Sequence, residues 1–433
     1  MRVCIILPPA PGLFDQHTNV PLGPLYIAAV LEKAGVDVEL ISLLGHDIPA
    51  FWPRADLYAM GFTTPQAGAA RGIMELIRSQ YPDAKVLAAG AHVECLVPET
   101  LAMGFDAVLV GEAELVIHNV IHDLPDLSKI YYGTPHHNLD LIPFPARHLL
   151  PQEDLYNNAG SVFYGSQHDS HVASIMGSRG CPFACAFCGN SPLSQRLRYR
   201  SAGNILAEMQ SLVNMGITCF KFQDDSFTIR PEQVIALGEM ASWTFELGEI
   251  VVRMHTRVGM FSTEIVHALK QLGVDLVAFG IESGSQKVLD LSDKRISIGQ
   301  AEEDLRMAHD AGFRTLGLFV FGLPGECEET VDETIAFWER NKPYMDAAAA
   351  TVFVPYAGCK IAEHPEQYRM HILDHDWNKY WIVRKDTVIA LPYDVSFQQM
   401  MDLRRKAFGA LAELGYAKPE WEDDGLGELS TDS

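Results

Sequence analysis

The sequence predicts an α/β protein built from two successive parallel-sheet domains. Three observations indicate this: the chain has 433 residues, and strand-like and helix-like segments alternate over residues 1–122 and again from residue 172. At about 150 residues per domain, this length corresponds to two or three domains. Alternation of strands with helices is typical of parallel sheets covered by helices.

Residues 1–122 predict a doubly wound, Rossmann-like sheet. Short apolar, β-branched runs predict strands at Arg2–Leu7, Asp37–Ile41, Asp56–Phe62, Lys85–Ala89 and Ala107–Val110. Helical periodicity predicts helices over Gly23–Lys33, Ala67–Ser79 and Val97–Met103. Ligands of such sheets bind at the carboxyl ends of the strands. These ends include Thr63-Thr64, Gly90-Ala91-His92 and Gly111-Glu112.

Residues 123–171 are rich in turn-forming residues and predict a linker between domains. Residues 172–355 contain six strand–helix units, which predict a partial (β/α)6 barrel whose catalytic groups lie at the strand ends. The predicted strands are Val172–Gly177, Cys219–Gln223, Ile250–His255, Asp275–Ile281, Thr315–Phe321 and Ala348–Val354. The predicted helices are Ala202–Met215, Glu232–Glu246, Thr263–Leu272, Gly299–Ala311 and Glu329–Asn341. Residues 356–433 predict a small C-terminal segment with one helix, Phe397–Leu414, and an acidic, disordered tail.

The amino-acid composition indicates which kinds of partner the protein can bind. The 33 Lys and Arg residues against 56 Asp and Glu residues give a net charge of −23. A field of this sign repels phosphate backbones, so we expect no nucleic-acid partner, and it attracts cations. No apolar run reaches the roughly 18 residues of a membrane span, and the N-terminus resembles a first strand more than a signal peptide. We therefore expect a cytoplasmic protein without a membrane partner.

Three of the eight cysteines lie within eight residues and carry the functional prediction. Cys181, Cys185 and Cys188 have the spacing C-x3-C-x2-C and follow a predicted strand. A zinc site would need a fourth ligand, and no nearby Cys or His offers a paired spacing. Three close thiolates suit an iron–sulfur cluster, which would keep one iron open for chemistry. Cys359 is the sole cysteine of the C-terminal segment, so an auxiliary cluster is not expected.

The surrounding residues resemble the radical S-adenosylmethionine (radical SAM) superfamily. Ser178–Cys188 resembles the cluster loop of these enzymes, and Phe222–Phe227 resembles the motif after their second strand. Gly280–Gly284 is similar to the fourth-strand ribose motif, and Leu318–Glu326 to the fifth-strand motif that packs on adenine. The resemblance covers residues 172–355. It implies a 4Fe-4S cluster that binds SAM and, with one electron, yields a 5′-deoxyadenosyl radical.

The resemblance also assigns cofactor contacts. The three cysteines would bind the cluster, and Phe187, beside Gly189, would stack on adenine. Glu282 and Ser283 would bind the ribose and the methionyl part of SAM. The fifth-strand motif, with Phe319, Gly322 and Gly325, would approach the adenine edge, since glycine allows close backbone contact. The predicted cofactor-binding residues are Phe187, Gly189, Arg257, Glu282, Ser283, Phe319 and Gly322.

Residues 1–122 are similar to the cobalamin-binding-type domain of one branch of this superfamily. Gly90–His92, Asp106–Glu112 and Pro143–Arg147 carry the resemblance. The Asp-x-His-x-x-Gly motif is absent, and Ser42–Asp47 occupies that region. Ala91 replaces the second glycine of a Gly-Gly pair and adds bulk where a ligand would approach. Cobalamin binding therefore stays open at this point.

Several polar residues are candidates for acid–base chemistry. Asp224 and Asp225 are adjacent, so in a strand they point to opposite faces, and one of them would face the barrel interior. Arg253, His255 and Arg257 alternate on one strand face and could bind the SAM carboxylate or transfer protons. Asp224, Asp225 and His255 are the predicted catalytic residues. Lys294 could reach the same SAM carboxylate, but a surface position is expected for it.

The main functional prediction is the dehydration of a 1,2-diol in a small cationic amino sugar, an aminoglycoside precursor. The resemblance is to radical SAM enzymes that keep a cobalamin-type fold without using cobalamin. The predicted partners are this metabolite, an external electron donor such as flavodoxin or ferredoxin, and a reductase acting on the product. Two alternatives remain open: a cobalamin-dependent methyltransferase and a non-catalytic redox sensor.

Overall fold

The computed structural model describes residues 1–13, 16–17, 20–151, 172–189, 196–381 and 388–416. It contains two six-stranded parallel sheets, which confirm the predicted α/β class. The predicted acidic tail lies outside the described residues. Within them, no helix combines the length and the apolar character needed to span a bilayer.

The first sheet has the strand order β2-β1-β3-β4-β5-β6. Its strands are β1 (Arg2–Leu7), β2 (Asp37–Ser42), β3 (Leu57–Gly61), β4 (Val86–Ala89), β5 (Ala107–Val110) and β6 (Ile130–Tyr132). Its helices are α1 (Leu22–Lys33), α2 (Ala67–Gln80), α3 (Ala91–Cys95), α4 (Val97–Ala102) and α5 (Ile117–His122). Alternate residues of β1 face opposite layers: Val3 and Ile5 pack with α1 and α5, whereas Cys4 and Ile6 pack with α2. The strand order reverses between β1 and β3, which places the switch point there.

The sheet continues into the region predicted to be a linker. Ile130–Tyr132 pairs in parallel with β5 and forms the sixth strand. Three residues between turn formers are too few to show strand periodicity, so the sequence pattern did not reveal this element. Residues 152–171 of the predicted linker lie outside the described residues.

The second sheet is an open partial barrel with the order β14-β13-β12-β11-β10-β7. Its strands are β7 (Val172–Ile175), β10 (Cys219–Phe222), β11 (Val251–Arg257), β12 (Val274–Glu282), β13 (Arg314–Phe321) and β14 (Ala347–Val352). Two short strands, β8 (Ser178–Arg179) and β9 (Arg198–Tyr199), form a separate antiparallel pair. The helices of this region are α6 (Ala202–Val213), α7 (Pro231–Thr244), α8 (Thr263–Gln271), α9 (Gln286–Leu291), α10 (Ile298–Asp310) and α11 (Glu328–Asn341).

Strand alternation divides the barrel residues between a helix-facing core and a lumen. Phe220, Phe222 and Met254 belong to the helix-facing core. Lys221 and His255 alternate with these residues and therefore point to the lumen. On the other side of the lumen, small and apolar residues form their own cluster: Leu276, Ala278, Leu316 and Ala349. The lumen thus has a cationic wall and an apolar wall.

The C-terminal segment connects both sheets. It contains α12 (Lys360–Glu363), the hairpin of β15 (Met370–Ile372) with β16 (Ala390–Pro392), and α13 (Phe397–Glu413). The indole N–H of Trp377 donates to Glu99 of the first domain. Helix α13 packs on the barrel, where the Phe408 and Phe321 rings lie 6.0 Å apart. The segment therefore contacts both domains.

A glycine at the end of β4 provides a stability test. Gly90 has φ +99°, and a Cβ there would lie 2.7 Å from the Phe62 carbonyl oxygen. We expect Gly90→Ala to lower the free energy of unfolding by about 2 kcal/mol or more, through overpacking and backbone strain. Gly72→Ala, in an open position of α2, should instead raise it by about 0.5–1 kcal/mol. Urea unfolding followed by circular dichroism measures both, and a neutral Gly90→Ala would contradict the packing at Phe62.

Candidate functional site

The three clustered cysteines lie on a loop at the carboxyl end of β7. Cys181 and Cys185 are half-buried, Cys188 is exposed, and all three are free thiols. The loop leaves β8 through Gly180, which has φ +91°. Only glycine adopts this conformation without strain, so Gly180 sets the direction in which the chain reaches Cys181.

Contacts from the barrel hold the middle of the loop. The Arg257 guanidinium donates to Cys185 Sγ at 3.3 Å and lies 4.0 Å from the centre of the Phe183 ring. The Ala186 N–H donates to the Ser292 carbonyl at 2.9 Å. A cation beside a thiol stabilises the thiolate, which is the form that binds metal.

The C-terminal segment holds the loop from the other side. Lys360 Nζ donates to the Ala184 carbonyl at 2.9 Å, and the Ile361 N–H donates to the Ala186 carbonyl at 3.1 Å. Gly189 lies against Tyr356, whose Cβ would be 3.5 Å from an added Cβ. The loop that carries the cysteines is therefore fixed by elements far apart in the chain.

The donor set fits a cluster better than a single ion. In the part of the chain that the structure describes, no three His, Cys, Asp or Glu side chains converge as one metal ion would require. A 4Fe-4S cluster does not need this convergence, since its thiolates bind different irons. Cys359 is buried and accepts a hydrogen bond from the Ala362 N–H, so it serves as a helix cap. Three thiolates from one loop leave one iron for another ligand.

Glu282 and Lys294 form a buried pair beside the cluster loop. Glu282 ends β12 with φ +71°, and Lys294 Nζ lies 2.6 Å from its carboxylate. Lys294 is 5% exposed and lies 5.9 Å from the centre of the Phe187 ring. The expectation of a surface lysine is therefore wrong. A non-glycine residue with positive φ at a strand end is a strained conformation of the kind that clusters at functional sites.

Two predicted SAM contacts point away from the lumen. The Phe319 ring is buried on the helix side, 5.3 Å from the Trp338 ring and 6.0 Å from that of Phe337. Strand alternation explains this, because its neighbours Leu318 and Val320 take the lumen face. Ser283 Oγ accepts a hydrogen bond from the Ser285 N–H at 3.1 Å and lies 3.3 Å from Thr334 Oγ1. The Phe319 and Ser283 side chains thus serve packing in this structure, and their assignment as cofactor-binding residues stays a prediction.

The loop after β13 has glycines where the backbone turns. Gly322 has φ +94° and Gly325 has φ +78°. The Gly322 N–H donates to the carboxylate of Glu326, a fully buried residue whose burial raises its pKa to about 7. Arg404 of α13 approaches the same glycine, 3.5 Å from where its Cβ would lie. The C-terminal helix therefore supports this loop, a role that the motif alone did not indicate.

The adjacent aspartates occupy different environments. Asp224 is 6% exposed and accepts hydrogen bonds from the Gly177 N–H at 2.9 Å and the Ser178 hydroxyl at 2.5 Å. Burial raises the pKa of Asp224 to about 6 against the effect of these bonds. Asp225 is exposed and lines a cavity between the two sheets, where desolvation raises its pKa. Asp224 thus supports the stem of the cluster loop, and Asp225 is free to meet a ligand.

The lumen wall formed by β10 and β11 is cationic. Lys221 lies in register with Arg253, and burial together with the Arg253 charge lowers the pKa of Lys221 to about 8. Burial and the Lys221 charge lower the pKa of His255 to about 4, so its imidazole is neutral at pH 7. His255 can therefore accept a proton but is a weak base.

A cavity of about 360 Å³ lies between the two sheets, at the carboxyl ends of β3, β4 and β5. The backbones of Gly61, Gly90 and Gly111 form part of its wall, with apolar side chains behind them. This surface fits a large flat ligand such as the corrin ring of cobalamin, because backbone without side chains permits close approach. His46 lies outside the cavity, and none of the described lining residues is a histidine. The described lining therefore supplies no imidazole.

Charged residues from both domains meet at the rim of this cavity. Glu114 accepts from Arg179 at 2.7 Å, and Glu112 accepts from Arg179 at 3.2 Å and from Arg198. Burial alone would raise the pKa of Glu112, but hydrogen bonding and charge from Arg198 and Arg179 hold it below its usual value. The sequence motifs contained Arg179 and Glu112 but gave no sign that they pair, because they are 67 residues apart.

Comparison with known proteins finds a family match for each domain. The radical SAM superfamily matches residues 175–337, and the B12 binding domain matches residues 16–121. A protein of Pyrococcus horikoshii named as an uncharacterized methyltransferase, PH0819, is 29% identical over 94% of this chain and 92% of its own length. The cytidylyl-2-hydroxyethylphosphonate methyltransferase of Streptomyces wedmorensis is 24% identical over 90% of this chain and 86% of its own.

A solved structure shows the same fold. The radical SAM methyltransferase TsrM of Kitasatospora setae, with cobalamin and a 4Fe-4S cluster bound, has a TM-score of 0.69 at 15% identity. The match covers 100% of this chain and 92% of that one. At this identity the likeness establishes the shared architecture of both sheets and the C-terminal segment.

These findings correct the main functional prediction. Dehydration of an amino sugar diol is wrong, because the relatives that match over nearly the full length are named as methyltransferases. The resemblance to the radical SAM superfamily is confirmed by the family match, which implies a 4Fe-4S cluster and SAM.

We expect Cys185→Ala to lose the cluster while the fold is retained, since Cys185 lies half-buried on a loop. After anaerobic reconstitution, iron content and the visible charge-transfer absorbance should fall severalfold, and the circular dichroism spectrum should stay unchanged. Cys95→Ala, a half-buried cysteine of the other domain, is the matched control and should keep its iron. Wild-type iron content in Cys185→Ala, or zinc in the wild type, would contradict the cluster assignment.

Proposed function

We propose that this member of the radical SAM superfamily, in which a B12-binding domain precedes the radical SAM domain, is a cobalamin-dependent methyltransferase. The observation that carries the proposal is the cavity between the two sheets, since it opens beside the strand that leads to the cluster cysteines. The methyltransferase names of the relatives support it. In the net reaction, a methyl group that originates from SAM replaces a hydrogen of a small substrate.

The bound cofactors would supply one-electron chemistry and the methyl group, and the protein residues would supply placement. Cys181, Cys185 and Cys188 would hold the cluster, and Arg257 would stabilise the Cys185 thiolate. We assign SAM to the space bordered by Phe187, Gly189, Glu282 and the backbone at Gly322. Lys294 would hold the Glu282 carboxylate in a fixed orientation. Fixed contacts of this kind keep a reactive species from attacking its surroundings.

We assign the corrin ring to the interdomain cavity. Its glycine wall would face one side of the ring, and the rim with Arg179 and Glu112 would lie next to the cluster loop. The described lining offers no imidazole, so the glycine backbone and the polar side chains of the rim would hold the ring.

Asp225 is the side chain we assign to substrate. Asp225 lines the same cavity as Arg179. The Gly177 N–H and the Ser178 hydroxyl donate to Asp224 and not to Asp225. A carboxylate there can bind a substrate amine or accept a proton from it. This placement suits the small cationic substrate expected from the sequence, with flavodoxin or ferredoxin as the external electron donor.

The proposed function is tested by reconstitution. Anaerobic protein supplied with iron, sulfide and hydroxocobalamin should retain about one corrinoid per chain after gel filtration, read from its absorbance. With a chemical reductant, SAM bearing a deuterated methyl group, and a panel of small amines, mass spectrometry should reveal a product that carries the labelled methyl. Protein that assembles the cluster and binds SAM but retains no corrinoid would contradict the proposal.

The two aspartates provide matched variants. We expect Asp225→Asn to keep its stability, cluster and corrinoid but to lose methyl transfer by about 100-fold or more, as when a general base is removed. Asp224→Asn should lower the free energy of unfolding by about 1.5–3 kcal/mol, since two buried donors lose a charged acceptor. Steady-state kinetics and urea unfolding separate the two effects. Unchanged turnover in Asp225→Asn would remove its assigned role.

A further inference from the structure

The cluster loop leaves the barrel on a two-stranded stem. Strand β8 pairs antiparallel with β9, so that Ser178 faces Tyr199 and Arg179 faces Arg198. Each strand of the stem therefore contributes one arginine at the same level. All three cluster cysteines lie in the chain between these strands.

Both arginines of the stem bind carboxylates of the first domain. Arg179 donates to Glu114 at 2.7 Å and to Glu112 at 3.2 Å, while Arg198 donates to Glu112 at 2.8 Å through Nη1. The four side chains are between 6% and 21% exposed, so water screens their interactions poorly. The Arg179 guanidinium also lies 5.0 Å from the centre of the Tyr26 ring, again in the first domain.

The stem lies next to the first cluster cysteine in the chain, so a movement of the stem also moves that cysteine. A single residue, Gly180, separates Arg179 from Cys181. On the barrel side, the Asp224 carboxylate accepts hydrogen bonds from the Gly177 N–H and the Ser178 hydroxyl. A displacement of Arg179 therefore changes the approach of Cys181 to the cluster, because Asp224 fixes the chain just before Arg179.

We propose that Arg179 is a positioning residue through which the occupancy of the interdomain cavity changes the geometry of the cluster loop. Glu112, Glu114, Arg179 and Gly180 all line that cavity, so a ligand there must contact or displace them. The inference rests on the proposed function, since the ligand it invokes is the corrinoid. By linkage, a ligand that alters the cluster must itself bind with an affinity that depends on the state of the cluster.

The test is a redox titration of the cluster, followed by electron paramagnetic resonance, with and without hydroxocobalamin. In the wild type, hydroxocobalamin should shift the midpoint potential of the cluster. In Arg179→Gln, measured at a hydroxocobalamin concentration that saturates the variant, we expect at least half of this shift to be lost. Arg78→Gln is the control, since it breaks an ion pair with Asp106 within the first domain and should leave the shift intact.

A second variant keeps the inference testable if Arg179→Gln does not assemble a cluster. Glu114→Gln removes the carboxylate charge that lies nearest to Arg179. The substitution is in the first domain, far in sequence from the cysteines. Like Arg179→Gln, this variant should make the hydroxocobalamin-induced shift in midpoint potential smaller. A full-sized shift in both variants, or none in the wild type despite bound hydroxocobalamin, would overturn the inference. Failure of the wild type to bind hydroxocobalamin would instead overturn the proposed function on which it rests.

Discussion

Buried arginine–carboxylate pairs hold the two sheets around the cluster loop, and the geometry of the site depends on them. Glu112 and Glu114 of the first domain bind Arg179 and Arg198 of the stem. Glu208, which is fully buried on α6, binds Arg147 of the connecting region and Arg200. Removing one partner of such a pair leaves an uncompensated charge, at a typical cost of about 3–5 kcal/mol. The relative position of the two domains is therefore specified by a few residues instead of by a broad apolar interface alone.

A different part of the protein contacts the cluster loop near each of its three cysteines. The first domain acts on the stem before Cys181, the barrel acts on Cys185 through Arg257, and the C-terminal segment lies against Gly189, next to Cys188. These three contacts restrict the part of the loop that carries the thiolates. Three thiolates leave one iron of a 4Fe-4S cluster accessible to a small molecule.

Strand and helix positions could be predicted because they depend on local patterns. The nine-residue run of β12 is apolar nearly throughout, as expected for a strand buried on both faces. Side-chain directions at the strand ends could not be predicted, since they depend on where alternation stops and on distant partners. Phe319 and Ser283 follow the cluster motifs in sequence but pack toward α11. Lys294 and Asp224 are polar residues whose burial follows from partners 12 and 46 residues away.

Net charge is a poor guide to the charge of the site. The chain carries −23 overall, yet the described lumen wall on β10 and β11 presents Lys221, Arg253 and Arg257. Charges on the outer surface are screened over about 8 Å at physiological ionic strength, so they contribute little inside the barrel. A substrate amine would be repelled by that wall and attracted by Asp225 in the interdomain cavity. For the cationic substrate that we propose, these local charges would orient the amine toward the first domain, on the side where the corrin ring is proposed to lie.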